Sequence, residues 1–187
     1  MLDMLRRPQW IVIDPEVDAS LLSLFSLPVR GALYTAVITA RTAYMPGVAG
    51  AVVGWAVDNG HLAVQDESAA RTALSEAIAN SLFHGSLGLT GMDSYSADPD
   101  GYFEDIAARL NDEAYGASPI VIRWRRTPGR LWLHVEDAGR GGPEIRSSQT
   151  HSRRHLAGRG RNVMAAMAGV VRYTLNGRRT SMGFSHV

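Results

Sequence analysis

The 187-residue sequence predicts an α+β fold, a two-layer α/β sandwich with helices on one face of a mixed, mostly antiparallel sheet. The order of the patterns predicts this class. Helical patterns dominate before residue 118, and a hairpin, a loop, a helix and a second hairpin follow. The apolar share of 45% is large enough to build a core. Length and composition together indicate a single domain over 1–187.

The first part of the chain combines short apolar runs with longer helical patterns. The helical pattern at 31–57 contains Pro46 and Gly47, and the helix is expected to break at these two residues. Asp66 is suited to cap the next helix, and His84-Gly85 is suited to end it. The predicted elements are, in order, an N-terminal extension at 1–19 that contains a strand at 10–13, a strand at 21–27, a helix at 31–57 and a helix at 66–83.

The second part begins with a polar, acidic stretch at 86–118, which is predicted to be an insertion with one helix at 101–111. Residues 119–126 and 130–136 alternate with period two around Thr127-Pro128-Gly129, which predicts a β-hairpin. The remaining predicted elements are a loop at 138–157, a helix at 160–168, a strand at 170–175 and a closing strand at 180–187.

Two absent residue types exclude several kinds of chemistry. The chain has no cysteine, so it forms no disulfide and has no thiolate nucleophile or cysteine-ligated metal. All 19 basic residues are arginine. A P-loop and the protein-kinase fold each need a lysine on the nucleotide phosphates, and Schiff-base chemistry needs one as well. If this chain handles ATP, it must do so by another route.

The net charge of +1 conceals an uneven distribution. Residues 1–122 hold 6 Arg and 15 Asp or Glu, a net charge of −9, whereas residues 123–187 hold 13 Arg and 3 Asp or Glu, a net charge of +10. This division indicates that one end faces anions. The alternative is that the two halves neutralise each other within one fold.

The first candidate functional element is the helix at 66–83. Leu74, Ile78 and Leu82 recur every four residues and are predicted to form its buried stripe. Glu76 and Asn80 lie one turn apart on the opposite face, where a carboxylate and an amide oxygen can reach one hydrated Mg²⁺. The alternative is a solvated helix face.

The second candidate follows the second hairpin strand. Asp137 ends that strand and is followed by Gly139 and Gly141. A fixed acceptor beside accessible backbone suits a flat ligand with an exocyclic amine, such as adenine. The alternative for this segment is an Asx turn.

The third candidate is the start of the helix at 160–168, where Gly158 and Gly160 leave backbone N–H groups free for phosphate. The preceding loop carries Arg146, Arg153 and Arg154, which would form a flexible basic cover. The alternatives are a plain helix-start turn and a solvated charged loop.

The order of these motifs resembles that of the GHKL ATPase superfamily, whose nucleotide pocket needs no P-loop lysine. Glu76 and Asn80 come first, on a helix that ends in His84-Gly85. An Asp-x-Gly-x-Gly segment that begins at Asp137 follows, and then come a Gly-x-Gly helix start and Thr180. The resemblance covers residues 67–187 with all motifs. It is closest to the serine-kinase anti-sigma factors of bacterial partner-switching systems, and it implies a Bergerat-type ATP-binding fold with 138–157 as the ATP lid.

The resemblance implies ATP and Mg²⁺ as cofactors and a role for each matching residue. Glu76 would be the general base, Asn80 would ligate the Mg²⁺ and Asp137 would accept from the adenine amine. The remaining nucleotide-binding positions would be Gly139 and Gly141 at the base and ribose, Gly158 and Gly160 at the phosphates, Arg154 in the lid, and Thr180 at the adenine end.

The expected activity is a serine/threonine-protein kinase of the anti-sigma-factor type, which phosphorylates a small antagonist protein or sequesters a sigma factor. One alternative is an ATP-binding module that sequesters a partner without phosphoryl transfer. Another is a detached catalytic domain of a histidine kinase, although no phosphoacceptor helix is evident around the six histidines.

The remaining expectations concern location and assembly. No secretory signal or lipidation motif opens the sequence, and no apolar run is long enough to span a bilayer, so we expect a soluble, cytoplasmic protein without a membrane partner. No nucleic-acid recognition motif accompanies the basic half. The apolar segment 31–57 is the candidate surface for a homodimer or a protein partner, and a buried helix layer is the alternative.

Overall fold

The computed structural model describes residues 1–7, 10–25, 31–90, 95, 98–139 and 159–185. These residues form an α+β sandwich around one six-stranded sheet, so the predicted fold class is confirmed. The strands are β1 (Ile11–Ile13), β2 (Ala32–Thr39), β3 (Pro119–Thr127), β4 (Arg130–Asp137), β5 (Val170–Thr174) and β6 (Arg179–Phe184).

The strand order is β1-β2-β3-β4-β6-β5, with β1 parallel to β2 and every other pair antiparallel. The predicted hairpin is β3–β4, in which Ile122 lies opposite Val135. The left-handed backbone of Gly129 (φ 72°) turns the chain between the two strands. Strand β4 then pairs with β6, which places Thr180 opposite Val135.

Helices cover one side of this sheet, which we call the inner face, and the opposite side is the outer face. The helices are α1 (Leu2–Arg6), α2 (Ala40–Tyr44), α3 (Val48–Asp58), α4 (Glu67–Asn80), α5 (Pro99–Asn111), α6 (Glu113–Gly116) and α7 (Arg159–Met167). The main core joins the inner face to this layer, with Leu74, Trp124, Leu133 and Met164 fully buried. Trp124 Nε1 donates to the Val52 carbonyl at 3.1 Å and ties β3 to α3.

Two predictions for the first part of the chain are wrong. The predicted helix at 31–57 begins instead with strand β2, and only α2 and α3 are helical, separated at Gly47 (φ 94°). Strand β2 is buried on both faces along most of its length, so its apolar run has no period-two signature. Residues 21–24 of the strand predicted at 21–27 belong instead to a 3-10 helix at Ala19–Leu24, and residues 26 and 27 lie outside the described part of the chain.

The remaining segment of that predicted helix is largely an internal layer. Helix α3 buries Val52, Val53 and Trp55 within the core. Tyr44, the last residue of α2, and Met45, which follows it, are about half exposed. None of the helices among the described residues combines the length and the apolar character that a membrane span requires.

Candidate functional site

Helix α4 presents its polar residues as the sequence predicts. Leu74 and Ile78 are buried, and Leu82 continues the stripe in the π-helical turn Ser81–Ser86 that follows α4 directly. Glu76 and Asn80 are half-buried on the other side of the helix. Such single π-helical turns are frequent at functional sites because they change the direction of the side chains that follow.

The start of α7 lies against these two residues. A Cβ atom added to Gly160 would lie 2.6 Å from Glu76 Oε2 and 3.6 Å from Asn80 Nδ2. The fold therefore brings the first candidate element and one glycine of the third candidate together. A side chain at position 160 would displace the Glu76 carboxylate.

Asp137 ends β4 next to the π-helical turn. Its carboxyl is buried, and its Oδ1 accepts a hydrogen bond from the Gly139 N–H at 3.0 Å. That bond is the Asx turn anticipated as the alternative for this segment. A Cβ atom added to Gly85 would overlap the Asp137 carboxylate, and one added to Gly139 would overlap the Gly85 carbonyl. Both glycines are thus needed for the close approach of the two backbones.

Burial changes the acidity of Asp137. It raises the pKa of the carboxyl from 3.8 to about 7, because the charged form is poorly solvated there. Hydrogen bonds from the Gly139 N–H and the Ser81 hydroxyl, and the charge of Arg178, oppose this rise in pKa. Near neutral pH, the group is therefore able to lose its proton when a hydrogen-bond donor arrives.

Thr180 lies on the same side of the sheet. It is buried on β6 opposite Val135, and Asp137 follows Val135 by two residues on the same face of β4. The inner face thus holds a buried hydroxyl and a buried carboxyl near the end of β4.

Several predicted residues lie outside the described part of the chain. They are Gly141, Arg146, Arg153, Arg154 and Gly158, together with most of the predicted loop at 138–157. The described residues therefore bring together Glu76, Asn80 and Gly160 at one place, and Asp137 and Gly139 at another. The π-helical turn Ser81–Ser86 connects the two places along the chain.

Sequence reasoning missed two residues that surround Asp137. Ser81 hydrogen-bonds its carboxyl, and Gly85, which the sequence predicts only as a helix end, lies directly against it. Only the contact between the π-helical turn and β4 reveals these roles. His84, predicted with Gly85 to end the helix, donates from Nδ1 to the Leu89 carbonyl at 3.0 Å.

No protein-family model matches the chain, and no curated protein matches it. Among the residues described, no group of three or more His, Asp or Glu side chains is arranged to hold a metal ion. The arrangement offers one buried carboxyl for a hydrogen-bond donor, and one carboxylate and one amide beside a helix start.

Proposed function

We propose that the chain binds ATP with Mg²⁺ and acts as a protein serine/threonine kinase of the anti-sigma-factor type. The observation that carries the proposal is Asp137, a buried carboxyl with a pKa of about 7 at the end of β4, in contact with Gly85 and Gly139. A carboxyl held in this way, beside backbone without side chains, suits the amine edge of a flat heterocycle.

In this proposal the ionised carboxylate of Asp137 recognises adenine. Its carboxylate would accept from the exocyclic amine, and Thr180, on the same face, would support the adenine end. Gly139 and Gly141 would allow the base and ribose to lie against the backbone. The hydrogen bond from Ser81 would help to keep the carboxylate in place.

The residues beside Gly160 fit a magnesium–phosphate group. Asn80 offers an amide oxygen, the kind of hard ligand that Mg²⁺ accepts alongside phosphate and water oxygens. Phosphate oxygens would supply further ligands. Gly158 and Gly160 would offer N–H groups at the start of α7. Bound Mg²⁺ would neutralise charge on the phosphates.

Glu76 would act as the general base. It would take the proton of a serine or threonine hydroxyl while the hydroxyl oxygen forms a bond to the terminal phosphorus, and the bond from that phosphorus to ADP breaks. Arg154 would supply positive charge to the phosphates. The protein partner would be a regulatory protein, either an antagonist that is phosphorylated or a sigma factor that is sequestered.

Variants separate nucleotide binding from phosphoryl transfer. Asp137→Asn should weaken Mg²⁺–ATP binding at least about tenfold, because it removes the charged acceptor. Glu76→Gln should retain binding but abolish ADP formation. Asp58→Asn, which changes an exposed carboxylate paired with Arg6, is the matched control and should change neither property. Binding in the wild type with no ADP formed, either on water or on an added protein that presents serine and threonine hydroxyls, would leave a nucleotide-binding module and refute the kinase proposal.

A further inference from the structure

The outer face of the sheet is strongly basic on strands β3 to β6. We call this surface the basic face and define it by nine of the outward side chains on these strands, which are Arg123, Arg125, Arg130, Trp132, His134, Glu136, Arg172, Arg179 and Ser181. Five arginines thus share the surface with one acid. The neighbouring part of the outer face, around Val37 and Val121, is covered by Val17, Leu22 and Phe25.

The single acid does not neutralise even its nearest arginines. Glu136 Oε2 accepts from Arg179 Nη2 at 2.7 Å and from Arg123 Nη1 at 3.4 Å, so two guanidinium groups share one carboxylate. The Arg123 side chain is 4% exposed, and within the described residues its Nε and Nη2 have no hydrogen-bond partner. A buried guanidinium that shares its carboxylate with a second arginine is only partly compensated, and this costs free energy in the isolated protein.

The Trp132 ring of the basic face already contacts side chains of the protein itself. The guanidinium carbon atoms of Arg172 and Arg130 lie 5.0 and 5.8 Å from the centre of the Trp132 ring. His134 is stacked near the same ring at 6.1 Å. Gly183 leaves the space for Arg130, because a Cβ atom there would lie 2.6 Å from Arg130 Cδ. Cation–π contacts thus hold two arginines in place and leave less of the ring for stacking with a nucleic-acid base.

The electric field of the basic face also affects His134. Burial and, to a smaller extent, the charges of Arg179, Arg123 and Arg125 together lower the pKa of this imidazole from 6.5 to about 4. Its Nδ1 shares a hydrogen bond of 2.8 Å with Ser181 Oγ. The imidazole is therefore neutral at pH 7, and its pKa responds to any anion that approaches the arginines.

We propose that the basic face binds a carboxylate-rich segment of a protein partner. Arg125 and Arg172 are exposed and lie at opposite sides of the face, on β3 and β5, so an extended acidic segment can contact both. A second copy packed face to face would bring like charges together. The occupied Trp132 ring disfavours single-stranded nucleic acid. The inference does not rest on the proposed function, because it concerns the face of the sheet opposite Asp137.

The test measures binding of a short polyglutamate peptide at near-physiological salt, where long-range attraction is screened. Arg125→Gln with Arg172→Gln should weaken binding about tenfold, as expected for two lost surface ion pairs. The control, Arg6→Gln with Arg71→Gln, removes the same charge from exposed positions on the helix side and should bind like the wild type. Equal losses in both double variants, or no binding to the wild type, would overturn the proposal.

Two further measurements distinguish other occupants. An oligothymidylate of the same net charge should bind more weakly than the peptide, and tighter binding would make the surface a nucleic-acid site and refute the proposal. Peptide binding should raise the pKa of His134 above its value in the free protein, as followed by NMR of the six imidazoles. An unchanged pKa of His134 on saturation with peptide would place the peptide elsewhere.

Discussion

At the residue scale, two opposing demands meet at Asp137. The fold buries its carboxyl and favours the protonated form, whereas recognition of an amine needs the ionised form. Ser81 and Gly139 reduce this conflict by donating hydrogen bonds to the carboxylate. Perturbed carboxyls of this kind concentrate at binding sites, which is why this residue is central to the account.

The free protein should lose stability as the pH rises through the pKa of Asp137. The folded-state pKa of about 7 exceeds the ordinary 3.8, so the stabilisation is complete below pH 3.8 and disappears above about pH 7. Between about pH 5 and about pH 8 the wild type should lose about 3 kcal/mol more than Asp137→Asn in urea unfolding.

The comparison between the two proteins is needed because His134 has the opposite effect. Its lowered pKa makes stability decrease as the pH falls from 6.5 towards about 4. Both proteins share that contribution, so it cancels in the difference. Parallel stability profiles for the wild type and Asp137→Asn would contradict the burial of a titrating carboxyl at this position.

Gly85 provides a test of the packing around Asp137. Gly85→Ala should lower the free energy of unfolding by about 1–3 kcal/mol, because the added methyl group overlaps the buried carboxylate. Gly50→Ala, inside α3 with its nearest neighbour at an ordinary 3.8 Å, is the control and should be neutral or stabilising. Equal effects of the two substitutions would show that position 85 tolerates a side chain.

At the scale of elements, the sequence predicts the helices and strands whose two faces differ in polarity. The β3–β4 hairpin is recognisable because Arg123 and Arg125 alternate with Ile122 and Trp124. Strand β2 lacks such alternation because both its faces are buried, and its apolar run resembles that of a helix. The contact between the π-helical turn and β4 arises only from tertiary packing.

The hydrogen bond from Trp124 on β3 to Val52 on α3 gives a prediction at the scale of elements. Trp124→Phe should destabilise the protein by about 1–3 kcal/mol, because the buried ring loses volume and its hydrogen bond to the Val52 carbonyl. Trp10→Phe is the control, since Trp10 is 64% exposed, and it should change stability by less than about 0.5 kcal/mol. Chemical denaturation followed by circular dichroism measures both, and equal changes would contradict the packing described.

At the scale of the whole molecule, the sheet separates two proposed sites. Asp137 and Thr180 face the helix layer, whereas the basic face lies on the other side. The residues of the candidate site could be selected from the sequence, because each motif is a short stretch of the chain and the motifs follow one another in a recognisable order. The basic face was not, since its arginines come from four strands that only the sheet brings together.

The separation predicts that the two sites are nearly independent. Arg125→Gln with Arg172→Gln should change Mg²⁺–ATP affinity by less than about threefold, because distant substitutions with no shared contacts act additively. Equilibrium binding of nucleotide to this double variant measures the effect. A loss as large as that of Asp137→Asn would mean that the arginines belong to the nucleotide site.

Recognition of adenine by Asp137 can be measured by calorimetric titration of Mg²⁺–ATP into the wild type and Asp137→Asn. We expect saturable binding to the wild type that the substitution weakens at least about tenfold. We also expect proton release near pH 7 in the wild type, since binding ionises a carboxyl with a pKa of about 7. Absence of binding to the folded wild type, or equal binding by both proteins, would show that Asp137 does not recognise adenine.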